Sequence, residues 1–206
     1  MCDVELREAL SHIAEIRARV AVMERFRGYR AVPVGVSGVL AVVVALAQPF
    51  LVPDPGNHLP GYLTLWLSTA VAGVAAAGSG IWWRWRQVDQ PLSQQLTRLA
   101  VAQFMPCLAA GGLVTLVVAR HAPEVGWMLP GLWQVLFSLG IFASCRLLPK
   151  PIVGVAIFYL VCGTLNLAVH STNSGYSPWG MAVPFGLGQL ATAGILYWHL
   201  ERADDE

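Results

Sequence analysis

Residues 31–51 read AVPVGVSGVLAVVVALAQPFL, a run of 21 residues without one charged side chain. At ~1.5 Å per helical residue it is about 30 Å long, which is the thickness of a bilayer's hydrocarbon core. A charged leader precedes it, with Arg25, Arg27 and Arg30 immediately upstream. The run therefore reads as a retained first span rather than a cleaved signal peptide.

Five more runs of this kind follow, at approximately Pro60–Trp82, Leu99–Ala119, Trp127–Leu147, Pro151–His170 and Trp179–His199. Between them the charges gather in short segments. All 12 acidic residues fall within 1–30, 52–61, 83–98, 120–126 and 200–206. Across the 206 residues, 56% are hydrophobic and 12% charged, about half the charged share of a soluble domain. A chain of this length has too little interior to hide so much apolar surface, so lipid is the expected solvent. The fold class is an all-α integral membrane protein, a six-helix transmembrane bundle preceded by a cytoplasmic amphipathic helix. Its parts are residues 1–30, the membrane domain 31–200 and an acidic tail 201–206.

The basic residues orient the bundle. Twelve of the 13 Lys and Arg residues fall before the first span, in the second and fourth loops or at the C-terminus; Arg120 alone falls on the other side. Cytoplasmic loops carry this excess, so both termini are expected in the cytoplasm. Five or seven spans would break the division. Aromatic residues mark the same two boundaries, as amphipathic rings at headgroup level do. Tyr29, Trp82, Trp83, Trp85, Tyr197 and Trp198 gather at one, and Tyr62, Trp127, Tyr176 and Trp179 at the other. With a single Lys beside twelve Arg, the composition looks bacterial, which makes the inner membrane the expected location.

Residues 3–27 carry Leu6, Ala9, Ile13, Ile16, Val20 and Met23 at helical spacing, one apolar stripe on a charged helix. The stripe suits docking on the membrane or bundle. It equally suits self-association or a protein partner. Within the spans, Ser68, Ala72, Ala76 and Gly80, and again Cys107, Gly111, Thr115 and Ala119, form ladders of small residues that let helices approach closely in lipid. Pro106 and Pro184 lie deep in the third and sixth spans and are expected to kink them. They match in position across two halves of three spans, as in an inverted repeat, although the residues of the halves do not resemble each other.

Chemistry is harder to find. The central turns of the spans hold no Asp, Glu, Lys or His, which counts against a proton relay and against haem held between spans. No metalloprotease, nucleophile-elbow or phosphate-loop pattern occurs. The four cysteines are isolated, and the three inside the spans, Cys107, Cys145 and Cys162, read as packing residues. Net charge of +1 without a basic block gives no sign of nucleic-acid binding. No cofactor is implied. His58, His121 and His170 fall one to each loop on the non-cytoplasmic side. If those loops converge, imidazoles beside Asp54 and Glu124 suit a transition metal; one His per loop is also what interfacial chance supplies.

Polar side chains in the spans favour the non-cytoplasmic half. Gln48, Gln134 and Asn166 lie there with Trp66 and Trp133, and Gln189 sits near mid-depth. Amides facing lipid are costly, so each needs protein or a cavity. One expectation is an outward-facing pocket for a neutral or amphiphilic small molecule, lined by Gln48, Trp66, Trp133, Gln134, Asn166 and Gln189, in a binding or facilitated-transport protein. The other is that the amides tie helices together, in an interaction or regulatory subunit acting through residues 3–27.

Overall fold

The computed structural model describes residues 31–87, 91–169 and 175–198, with side chains described for 31–80, 98–169 and 175–198. The amphipathic stretch 3–27, His170 and the tail 201–206 lie outside the described residues. Every regular element among those described is helical. They are α1 (Ala31–Leu51), α2 (Leu59–Gln87), α3 (Pro91–His121), a 3-10 turn (Pro123–Met128), α4 (Leu129–Ser144), a second 3-10 turn (Cys145–Leu147) and α5 (Ile152–Val169). The last, α6, runs through Pro178–Leu196, with a π-helical stretch at Ala182–Leu187.

Six of these helices are long and apolar enough to cross a membrane: Ala31–Leu51, Leu59–Gly80, Arg98–His121, Pro123–Leu147, Ile152–Val169 and Pro178–Leu196. Six such helices are compatible with a multi-pass membrane protein. The helices reach beyond the apolar runs in two places. Helix α2 continues past Gly80 to Gln87, and α3 begins at Pro91, before the apolar part that starts at Arg98. Polar residues there satisfy their backbone within the helix, so the hydrogen-bonded segment can outlast the apolar one. The two ends of the bundle are named here by Asp54, in the α1–α2 loop, and Arg146, at the end of α4.

Large apolar side chains line the outside: Val32, Val36, Val39, Val43 and Leu46 on α1 are all exposed. A soluble protein would hide this stripe, whereas lipid solvates it. The interior uses small residues and aromatics. Helix α1 packs against α2 and α6, and α4 sits between α3 and α5. At the α1–α6 crossing, a Cβ on Gly38 would meet Gln189 Cβ at 2.9 Å and the Gly186 carbonyl at 3.1 Å. At the α4–α5 crossing, a Cβ on Gly163 would stand 2.9 Å from the carbonyl of Gly131.

The small-residue ladder on α2 is used differently from the expectation. Ser68 and Ala72 are exposed, while Gly73 and Gly80 approach Ser37 and Pro33 of α1 at 3.4 and 3.1 Å from an added Cβ. The contact face is thus rotated from the one the spacing suggests. On α3 the ladder does face its neighbour: Gly111 lies against Leu136 of α4, and Thr115 is buried. The two prolines also part company. Helix α3 contains Pro106 without a change of helix type, whereas Pro184 lies inside the π-helical stretch.

Candidate functional site

The site begins with a backbone problem. A helical carbonyl bonds to the N–H four residues on. For Gly180 that residue is Pro184, which has no N–H. In lipid an unpaired carbonyl costs several kcal/mol, and side chains from neighbouring helices resolve it. Gln134 Nε2 on α4 donates to the Gly180 carbonyl at 2.8 Å, and Asn166 Nδ2 on α5 donates to the same oxygen at 2.9 Å. Asn166 Nδ2 also reaches Gln134 Oε1 at 2.9 Å. Gln134 is fully buried.

A second amide donates to another backbone carbonyl, four residues before Gly180 in the chain. Tyr176 lies in the turn that leads into α6, and its carbonyl accepts from Gln48 Nε2 of α1 at 2.8 Å. Gln48 Oε1 in turn accepts from Trp66 Nε1 of α2 at 3.0 Å. Helix α3 joins through Thr115, whose Oγ1 accepts from Trp133 Nε1 at 2.8 Å. The start of α6 is therefore held by α1, α4 and α5, with α2 and α3 tied in behind them.

Aromatic rings fill the space between these bonds. Tyr62 is fully buried, with its ring parallel to Trp133 at 6.5 Å, edge-on to Tyr176 at 5.0 Å and tilted to Trp66 at 6.4 Å. Tyr62 and Tyr176 had the sequence signature of interfacial belt residues; both are core residues, and Trp179 is the exposed one. Burial pushes the Tyr176 phenol up from its ordinary range. Three buried polar atoms among the described residues lack a hydrogen-bond partner: the Tyr62 and Tyr159 hydroxyls and Gln103 Oε1. Tyr159 stands in a second aromatic group with Phe137, Phe158 and Phe185.

Of the six residues expected to line a pocket, the structure brings five together in two linked sets, Gln48 with Trp66 and Gln134 with Asn166 and the neighbouring Trp133. Gln189 stands apart. It lies about 13 Å along α6 from Gly180 and packs its Cβ on Gly38. Tyr62, Tyr176 and Gly180 complete the arrangement, and depth alone did not single them out. The pairing of Pro184 with a carbonyl four residues earlier was the available signal for Gly180.

His58 and His121 are exposed, and His170 is not among the described residues. Among the described residues no three His, Cys, Asp or Glu side chains come together as metal ligands. In the α1–α2 loop, Asp54 accepts from Asn57 through both its amide side chain (2.8 Å) and its backbone (3.3 Å). These bonds hold the Asp54 carboxyl below its ordinary range. Cys107, Cys145 and Cys162 are free and half-buried. No protein-family model, curated protein or solved structure matches the chain.

Proposed function

We propose that this chain is a membrane-embedded interaction or regulatory subunit, whose bundle is a scaffold for contacts made at its surface. One observation carries the reading. The amides best placed to line an outward pocket, Gln48, Gln134 and Asn166, donate to backbone carbonyls of the Tyr176–Gly180 segment. Side chains spent on holding a helix start are not free to recognise a solute. In this reading both termini face the cytoplasm of a bacterial inner membrane, where the excess of Lys and Arg belongs. The apolar stripe of Ile13, Ile16, Val20 and Met23 meets a second copy or a protein partner there.

The test is assembly size in native membranes, by cross-linking followed by mild-detergent native electrophoresis. Wild type should run as an assembly larger than one chain, and Ile16→Asp should release the monomer, since a buried unpaired carboxylate is costly. A monomeric wild type, or an Ile16→Asp variant of unchanged size, would overturn the reading. A second reading keeps the small-molecule or facilitated-transport protein, on the strength of the unpartnered Tyr62 hydroxyl among aromatic rings. It requires downhill flux of a neutral solute into proteoliposomes, sensitive to Tyr62→Phe.

A further inference from the structure

Helix α3 poses the backbone problem of α6 a second time, on the outside of the bundle. It is α-helical from Pro91 to His121 with Pro106 within it. The helical partner of the Ala102 carbonyl is therefore a nitrogen that carries no hydrogen. At Gly180 the chain meets that need with the amides of Gln134 and Asn166. At Ala102 no side chain among the described residues does so. Ala102 and Pro106 are both exposed, and α3 is the least buried of the six spans, with 6% of its apolar window inside the protein. A carbonyl without its donor is costly in hydrocarbon. This one calls for a donor from outside the chain.

The next residue is a donor in want of an acceptor. Gln103 is half-buried, and its Oε1 is enclosed without a partner. Its Nε2 bonds to no other described residue, and it is not among the enclosed unpartnered atoms, so it reaches the surface of the helix. Leu99, Pro106 and Leu113 stand at every seventh position of α3 and are all exposed. From the line they draw, Ala102 lies about 60° to one side and Gln103 about 40° to the other, at 100° per residue. When two identical parallel helices meet along such a line, each flank of one faces the opposite flank of the other. The Ala102 carbonyl of each copy then faces the Gln103 amide of the other, at the same depth in the membrane.

We infer that α3 pairs with α3 of a second copy along Leu99, Pro106 and Leu113, with Gln103 Nε2 of each copy donating to the Ala102 carbonyl of the other. This pairing rests on the reading of the chain as an interaction subunit, and it adds a contact within the membrane to the one at Ile16. A hydrogen bond between membrane helices is worth about threefold in an equilibrium constant, so the reciprocal pair contributes about tenfold. That is too little to hold two copies together in detergent once the contact at Ile16 is lost.

The test uses the full-length chain in phosphatidylcholine proteoliposomes, in a background lacking Cys2, Cys107, Cys145 and Cys162. Leu99→Cys and Leu113→Cys should each form a disulfide-linked dimer on mild oxidation. Leu116→Cys, on another face of α3, and Val43→Cys on α1 should not. Association is then followed by energy transfer between copies labelled at Asn57→Cys, diluted stepwise with lipid. Pro106→Ala gives the Ala102 carbonyl its own N–H, and Gln103→Leu removes the donor. Each should weaken association about tenfold, and the double variant should be no weaker than either alone. A merely structural role for either residue would not produce that non-additive pattern. Undiminished association in both single variants, as expected if water or a lipid hydroxyl serves the carbonyl, would overturn the inference, and so would additive losses. Release of monomer by Ile16→Asp, with no cross-link at Leu99→Cys or Leu113→Cys, would overturn the α3 pairing and leave the interaction reading in place.

Discussion

At the scale of single residues, Gln48, Gln134 and Asn166 are answers to specific carbonyls. Gln134 is fully buried and bonds to an oxygen that Pro184 leaves without its helical donor. The depth of Gln134 and Asn166 was legible in the sequence, and so was their need for partners. Which oxygen they serve was not, because the Gly180 carbonyl belongs to a helix 46 residues away from Gln134 in the chain. The link can be tested by a double-mutant cycle. Gln134→Leu should lower stability by about 1–2 kcal/mol, since membrane hydrogen bonds average ~0.6 kcal/mol and a stranded buried partner adds to that. Pro184→Ala returns an N–H to the helix, so the same Gln134→Leu change should cost less in that background. Reversible unfolding in mixed micelles measures both. Strict additivity of the two changes would mean that the glutamine is not there on the proline's account.

At the scale of helices, two features decide the packing: glycine crossings and the π-helical stretch of α6. Gly131 and Gly163 bring backbone against backbone, and an added Cβ at Gly163 would stand 2.9 Å from the Gly131 carbonyl. A main-chain oxygen cannot swing aside as a side chain can, so α4 and α5 would have to separate. Gly163→Ala should therefore destabilise the bundle by about 1–3 kcal/mol. Gly154→Ala, on the same helix with nothing within 4 Å of the new methyl, should be neutral or slightly stabilising. If thermal unfolding in detergent finds the two substitutions equivalent, the close crossing is not what holds α4 to α5. Spacing alone placed the α2 ladder on Ser68, Ala72, Ala76 and Gly80, whereas the approach to α1 involves Gly73 and Gly80. One row of small residues on a helix is hard to tell from its neighbour by counting. The partner's shape, here Pro33 and Ser37, makes the choice.

At the scale of the whole molecule, six apolar helices run back and forth between two ends, with the described charged side chains at those ends. Loops with Asp54 and Glu124 lie on one, and Arg98, Arg146 and Lys150 lie on the other. The orientation proposed from the basic residues can be checked with single cysteines in a background lacking Cys2, Cys107, Cys145 and Cys162. A cysteine at Asn57 should react with an impermeant maleimide added outside intact cells. One at Gln94 should react only after the membrane is opened. Reversed labelling, or equal labelling, would reject the six-span topology with cytoplasmic termini.

Span number and span length were written in the sequence because they depend on local quantities. An apolar run must match the bilayer thickness, and each helix satisfies its own backbone without help from its neighbours. Residues 31–51 could therefore be read as a span from their own composition, and α1 occupies Ala31–Leu51. What each polar or small side chain touches was left to the tertiary structure. The Trp66–Gln48–Tyr176 chain, the clasp of Gln134 and Asn166 on Gly180, and the burial of Tyr62 all join residues of different helices. In lipid no hydrophobic force selects those partners. The selection is made by close packing and by the cost of an unpaired carbonyl, and both exist only once the helices have met.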